Sequence, residues 1–408
     1  MFSLDRTKND SSALLDLLRA LAAQMVCVGH TWNLTFASFG GAQQTLVPDI
    51  GVLLFFVLSG FVIAFTLHDR TKADDYSLLN YVVERFARIY CAYAPALVVI
   101  AALDYVAVAL GIAWFQLDST ASFLRNLLML QGYPGALGGG AFGSAGQLNT
   151  IAIEFHIYFF VGGLFFFCKG RNQIAGLVLA IAAAAAPLFH FAERTNASHS
   201  LFVLWLLGFG GYFVAISMKM NRMTTVACAI LSVLLFWQWR VAHVRGDEAA
   251  LAAQPYFALW FVSIVIAAQG QQWLLRLQPV IGFFANYSYS LYLIHFTIVK
   301  IIAWLMPSSL MGWSGRAPAP PAISWPGAPR QGARHVPDTQ YRDRRDRHRY
   351  RQKLVPCRGP RYARRHRAAA KVVAWPSGGA ARQYAALPDR HGSLRRRTSF
   401  EPQTRIAW

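Results

Sequence analysis

Long apolar runs separated by short polar connections fill the chain as far as about residue 305. Nine of these runs predict membrane-spanning helices, at roughly 13–34, 50–68, 90–113, 148–168, 173–191, 200–218, 224–239, 255–270 and 286–305. The pattern therefore predicts an all-α fold, a polytopic integral membrane helix bundle. Residues 120–131 are also apolar, but they are short and contain Arg125, which suits an interfacial or re-entrant helix. The run 224–239 ends in WQWR, an aromatic cluster with a basic anchor of the kind found at a membrane surface. The first run is too long and too charged for a cleaved signal, and is read as a retained span.

Composition agrees with the pattern. The chain is 55% hydrophobic and 14% charged, with a mean hydropathy of +0.33. Its net charge of +20 is unevenly placed: residues 1–314 carry 17 Lys and Arg against 14 Asp and Glu, and residues 315–408 carry 22 against 5. Two domains are expected on this basis. Residues 1–314 form a transmembrane domain, and 315–408 form a tail holding 20 Arg and 11 of the 18 prolines, with no helical or strand period. Three readings of the tail compete: a disordered Arg/Pro segment, a nucleic-acid arm, and translation of a GC-rich gene in the wrong frame. The abrupt switch directly after a span favours the frameshift, and no nucleic-acid partner is expected. Arg and Lys cluster at Arg6 and Lys8, Arg70 to Arg88, Lys169 and Arg171, Lys219 and Arg222, and Arg276. The positive-inside rule then puts the N-terminus in the cytoplasm. Five scattered cysteines, Cys27, Cys91, Cys168, Cys228 and Cys357, have no C-x-x-C spacing and read as small packing residues.

Candidate chemistry lies inside the spans, where an ionisable side chain costs on the order of 2.5–3.5 kcal/mol on insertion scales. The first run, ALLDLLRALAAQMVCVGHTWNL, holds Asp16, Arg19 and His30. Helical geometry returns His30 to within about 20° of the face of Arg19, about 16 Å further along the axis, and places Ala23 and Val26 on the same stripe. A neutral imidazole suits proton abstraction from a hydroxyl, and a guanidinium suits an anion. The bland alternative is an Asp16–Arg19 pair beside a packing histidine. In YVVERFARIYCAY, Arg85 and Arg88 stand three apart and form a fork for phosphates, unless they only anchor the helix at the interface. In QLNTIAIEFHIYFF, Glu154 sits within a span with Tyr158 one turn on, while His156 points elsewhere. In NYSYSLYLIHFTIV, Ser288, Tyr292 and His295 share a face. The G-x-G-x-x-G at Gly138–Gly143 has no preceding strand and no βαβ context, so it is read as a flexible loop and not as a dinucleotide site.

Taken together, LLDLLRALAAQMVCVGH, GVLLFFVLSGFVIAF, RFARIYCAYAPAL, LNTIAIEFHIYFF and NYSYSLYLIHF resemble, in order and spacing, the membrane-bound acyltransferase family 3 over roughly residues 12–306. The resemblance implies about ten membrane helices, one more than is visible here. It also implies a bacterial inner-membrane location and acyl transfer, usually from acetyl-CoA, to a hydroxyl of a cell-surface carbohydrate such as polysaccharide or lipopolysaccharide. The family's arginine and histidine of the first helix map to Arg19 and His30, and its R-x-x-R to Arg85 and Arg88. Its carboxylate maps to Glu154, and its Y-L-x-H-like segment to Tyr292 and His295. Leu148 stands where a tryptophan is common, and Cys91 and Ala92 where a proline often follows R-I.

The expected function is thus an integral membrane O-acyltransferase with His30 as general base and Glu154, His295 and Arg19 as supporting groups. Arg85 and Arg88 would hold the acyl-CoA donor substrate. No permanently bound cofactor and no metal is expected. The partners are the acyl-CoA, the glycan acceptor and the lipid bilayer. The rivals are a carbohydrate or lipid-intermediate transporter without chemistry, for which no internal repeat is found, and an inactive truncated product.

Overall fold

The computed structural model describes residues 10–37, 44–73, 75–112, 114–192, 201–218, 221–243, 247–269 and 272–306. The tail read as 315–408, Cys357 and the basic residues Arg6 and Lys8 lie outside the described residues. Among the described residues the structure is helical, with one isolated bridge between Gln131 and Gly139. Eleven α-helices follow in order: α1 Asp10–Trp32, α2 Val47–Arg70, α3 Leu78–Ala109, α4 Thr120–Leu127, α5 Leu148–Cys168, α6 Gln173–Ala183, α7 Ala185–Ala192, α8 Leu201–Ser217, α9 Arg222–His243, α10 Asp247–Ala267 and α11 Gln278–Leu305. Six described helical segments are long and apolar enough to cross a membrane, and three shorter apolar helices accompany them. The chain is a multi-pass membrane protein built as a helical bundle.

The boundaries differ from the hydropathy pattern in four places, one of them the start of α10 at Asp247 and not near 255. Helix α3 starts at Leu78, well before the predicted residue 90, because the Ser77 hydroxyl accepts from the Asn80 amide at 3.3 Å and caps the helix. The charged residues Glu84, Arg85 and Arg88 therefore lie within the helix and not in a loop ahead of it. Helix α11 likewise starts at Gln278, with Pro279 in its first turn, where a missing N–H costs nothing. The predicted span 173–191 is two short helices. Pro187 cannot donate to the Ala183 carbonyl and its ring crowds that turn, so α6 ends at Ala183. The short helix expected near 120–131 is α4.

Helix α1 packs between α2 and α11; α2 packs on α8, α8 on α10, and α10 on α9. On the other side α11 packs on α3, α3 on α5, and α5 on α6. Small residues allow the closest crossings. A Cβ on Gly60 of α2 would lie 2.0 Å from the Trp205 carbonyl oxygen of α8, and one on Gly208 of α8 would lie 2.1 Å from the Val57 carbonyl oxygen of α2. Without a hydrophobic force between helices in lipid, such backbone approach is what provides packing energy. The surfaces turned away from the bundle stay apolar, with Val98 and Val106 on α3, Ile174 and Ile181 on α6, and Ile230 and Val233 on α9 exposed, as lipid contact requires.

The Gly-rich segment 132–146, which contains the Gly138–Gly143 stretch read from the sequence as a flexible loop, is tied by hydrogen bonds to its surroundings. The Asn126 side chain donates to the Gly140 carbonyl at 3.1 Å and accepts from the Phe142 amide at 2.9 Å. Asp118 accepts from Gly143 N at 2.7 Å, and Asp104 from Ser144 N at 2.9 Å. Gly143 has φ +56°, and a Cβ there would strike the Asp104 carboxylate, so glycine is required. At the opposite end of the bundle, both Asp10 carboxylate oxygens accept backbone amides, Leu274 at 2.9 Å and Leu275 at 3.1 Å. The start of α1 thereby caps the 3-10 turn Leu274–Leu277 that leads into α11.

Candidate active site

Four helices bring polar side chains to one seam. His30 lies near the end of α1, just before the helix widens into the π turn Asn33–Ala37. Its ring stacks on that of His295 of α11, with centroids 5.5 Å apart and planes 18° from parallel. Phe296 meets the edge of His30 at 5.1 Å. His295 Nδ1 lies 2.8 Å from the Tyr292 carbonyl oxygen. A carbonyl can only accept, so Nδ1 carries the proton and Nε2 of the neutral ring carries the lone pair. That Nε2 is buried and has no hydrogen-bond partner among the described residues. Two imidazoles are thus held face to face, 7% and 2% exposed.

Tyr292, one turn before His295, continues the seam. Thr150 Oγ1 donates to the Gln147 carbonyl at 2.7 Å, so its remaining contact, 2.6 Å to Tyr292 Oη, is an acceptance. The Gln147 side-chain amide donates to the Leu293 carbonyl at 2.6 Å and ties α5 to α11 again. Tyr292 also lies within the field of Glu154 on α5. Glu154 accepts a short hydrogen bond from Tyr158 Oη one turn on. Across from it on α3, Arg88 interacts electrostatically with Glu154, Tyr158 and Tyr289. Arg88 makes no hydrogen bond or ion pair of its own among the described residues.

Arg85 is buried, with a distant ion pair to Glu84 at 3.9 Å and the Tyr81 ring 5.8 Å from its guanidinium carbon. Glu84 is drawn the other way, toward Arg70 and the Tyr76 hydroxyl, which donates at 3.0 Å. Burial, and then the Glu84 charge, push the Tyr76 phenol above its ordinary range, so it remains a donor. Arg19 lies toward the other end of α1 from His30. It pairs with Asp16 at 3.1 Å, and the Gln278 side chain reaches Asp16 at 3.5 Å.

The structure therefore brings together His30 with His295, and Glu154 with Arg88, and Tyr292 links the two groups. It does not bring Arg19 to His30. The stripe Ser288, Tyr292 and His295 is buried as one face. His156 is turned away, with Nδ1 2.8 Å from the Ala152 carbonyl and its ring against Tyr133. Sequence reasoning assigned no role to Ser59, Thr150, Gln147, Trp205 or Tyr289. Ser59 carried a signal, being the one hydroxyl between Asp49 and Thr66 in α2.

Chemically, the seam offers a neutral imidazole lone pair for a proton and a guanidinium for an anion. Comparisons with curated proteins and with solved structures give no match. The family model described as an acyltransferase domain, Acyl_transf_3, matches residues 13–323, which takes in α1 from Ala13 onward, α2 through α11 and every residue of the seam. An enzyme that transfers acyl groups follows from that match, and the chain belongs to the acyltransferase 3 family.

Proposed function

We propose that the protein is an O-acyltransferase of the bacterial inner membrane, with its N-terminus in the cytoplasm. It moves an acyl group, acetyl from acetyl-CoA, to a hydroxyl of a cell-surface or exported carbohydrate. The observation that carries the reading is the His30–His295 stack, a pair of imidazoles without metal-ligand spacing at the end of the bundle away from Arg85.

On this reading the donor enters from the side of Arg85 and Arg88, whose guanidinium groups hold its phosphates, and its thioester arm extends along the seam. The acceptor hydroxyl enters from the His30 side. His30 takes the hydroxyl proton as the oxygen attacks the thioester carbonyl. The tetrahedral oxyanion collapses, the carbon–sulfur bond breaks, and the proton passes from His30 to the departing thiolate. An ester and free coenzyme A result. His295 packs against His30 and fixes its ring plane. Two roles were open to Arg19: steadying charge on the donor or on the oxyanion. Its position about 16 Å along α1 from His30 favours the donor.

Substituting His30→Ala is expected to abolish acylation while leaving membrane insertion intact. Full activity of that variant would refute the base role. Mass analysis of surface polysaccharide with and without the gene separates enzyme from transporter: acyl groups missing from unchanged chains support transfer, and missing chains support transport.

A further inference from the structure

Glu154 and Arg88 interact electrostatically without forming an ion pair. Opposite charges attract, and here the carboxylate is engaged by other groups instead. The groups that hold it come from two other helices. Trp205 Nε1 of α8 lies 3.0 Å from Ser59 Oγ of α2. Ser59 Oγ lies 2.8 Å from Tyr158 Oη of α5, and Tyr158 Oη contacts Glu154 Oε1. All of Trp205, Ser59 and Tyr158 are buried.

Donor chemistry fixes the direction of this chain. An indole N–H only donates, so Ser59 Oγ accepts there. An ionised carboxylate only accepts, so Tyr158 gives its single proton to Glu154. Ser59 then gives its own proton to Tyr158 Oη. Every proton of the chain points toward Glu154. The negative charge of the carboxylate is drawn toward α2 and α8, and the five N–H donors of Arg88 stay unspent.

We propose that the Trp205–Ser59–Tyr158 relay is a positioning device that restrains Glu154 so that Arg88 remains open to the anionic part of the acyl donor. Tyr158 and Ser59 are positioning residues, since they act through Glu154 and touch no reacting atom. Without the Tyr158 hydroxyl, Glu154 turns to Arg88 and competes with the donor's phosphates. This rests on the donor role of Arg88 proposed above.

The test is binding of coenzyme A to the purified full chain in detergent, by titration calorimetry. Tyr158→Phe is expected to weaken binding about tenfold, about 1.4 kcal/mol, with the acceptor KM unchanged. In a Glu154→Gln background the same Tyr158→Phe change is expected to be silent, because the competing charge is gone. Ser59→Ala should weaken binding in the same sense, less strongly, and it carries the same background test should Tyr158→Phe fail to fold. Binding by both variants equal to wild type overturns the relay. Equal weakening with and without Glu154 overturns its action through that carboxylate. A wild-type protein that binds no coenzyme A overturns the donor assignment, and this inference with it.

Discussion

Gly60 stands at the tightest crossing in the bundle, directly beside Ser59, and Gly60→Ala tests how far the site depends on that crossing. The new methyl carbon would be built 2.0 Å from the Trp205 carbonyl oxygen and 2.9 Å from the Phe209 amide nitrogen. Real Cβ contacts essentially never fall below 3.0 Å, so α2 and α8 must separate locally by at least about 1 Å. The obstacle is backbone and no rotamer change can relieve it. Overpacking of this kind costs about 1–3 kcal/mol, and the facing Gly208–Val57 contact opens at the same time. The same shift would stretch the 3.0 Å Trp205–Ser59 hydrogen bond to about 4 Å, beyond its useful range. Thermal unfolding in detergent should show Gly60→Ala clearly destabilised, and acyl transfer should fall further than the stability loss explains. Gly210→Ala, on α8 with nothing within 4 Å of its would-be Cβ, serves as the control and should be neutral or slightly stabilised by helix propensity. If Gly60→Ala matches Gly210→Ala in both melting and activity, the α2–α8 crossing does not set the geometry of the seam.

Replacing Arg85 and Arg88 together by Ala should raise the donor KM by about 100-fold with little change in the acceptor KM, measured by steady-state kinetics on both substrates. His295→Ala should lower kcat by about 100-fold while leaving coenzyme A affinity near wild type; an unchanged kcat would remove His295 from the reaction. Asn126→Ala should cost about 1–3 kcal/mol and speed amide exchange at Phe142, since it removes the acceptor of that amide and the donor to Gly140. Asp10→Ala should cost about 1–2 kcal/mol in thermal unfolding, as the Leu274 and Leu275 amides lose their shared acceptor.

Much of this arrangement was legible before any coordinates. Hydropathy located the helices because burial in lipid forces an apolar sequence of known length. Charge inside those runs pointed to His30, Glu154 and His295, since a costly group in lipid rarely lacks a purpose. Less legible was the start of α3. Glu84, Arg85 and Arg88 make a poor membrane window, and the capping hydroxyl of Ser77 is a signal of one residue. The break at Ala184 required weighing Pro187 against an otherwise continuous alanine run. The relay through Ser59 and Trp205 was hidden for a different reason. It joins three helices, and no periodicity within one segment reports a contact with another. The bonds that Asn126, Asp118 and Asp104 make to the Gly-rich loop were not legible, because glycine content carries no sign of them.

The stacked imidazoles come from the first and last described helices, and this sets an order of events during synthesis. When α1 leaves the ribosome, the partner surface for His30 has not yet been translated. The first helix must enter the bilayer with Asp16, Arg19 and His30 unsheltered by α11 and wait for almost the whole bundle to arrive. Domains that close on such distant segments are slow to mature and exposed to misassembly meanwhile. The His30–His295 stack therefore forms only in a late step, when α11 docks and Asp10 caps the turn before it. A nascent chain halted before that point would be a membrane protein with most of its spans and His30 unpartnered by His295.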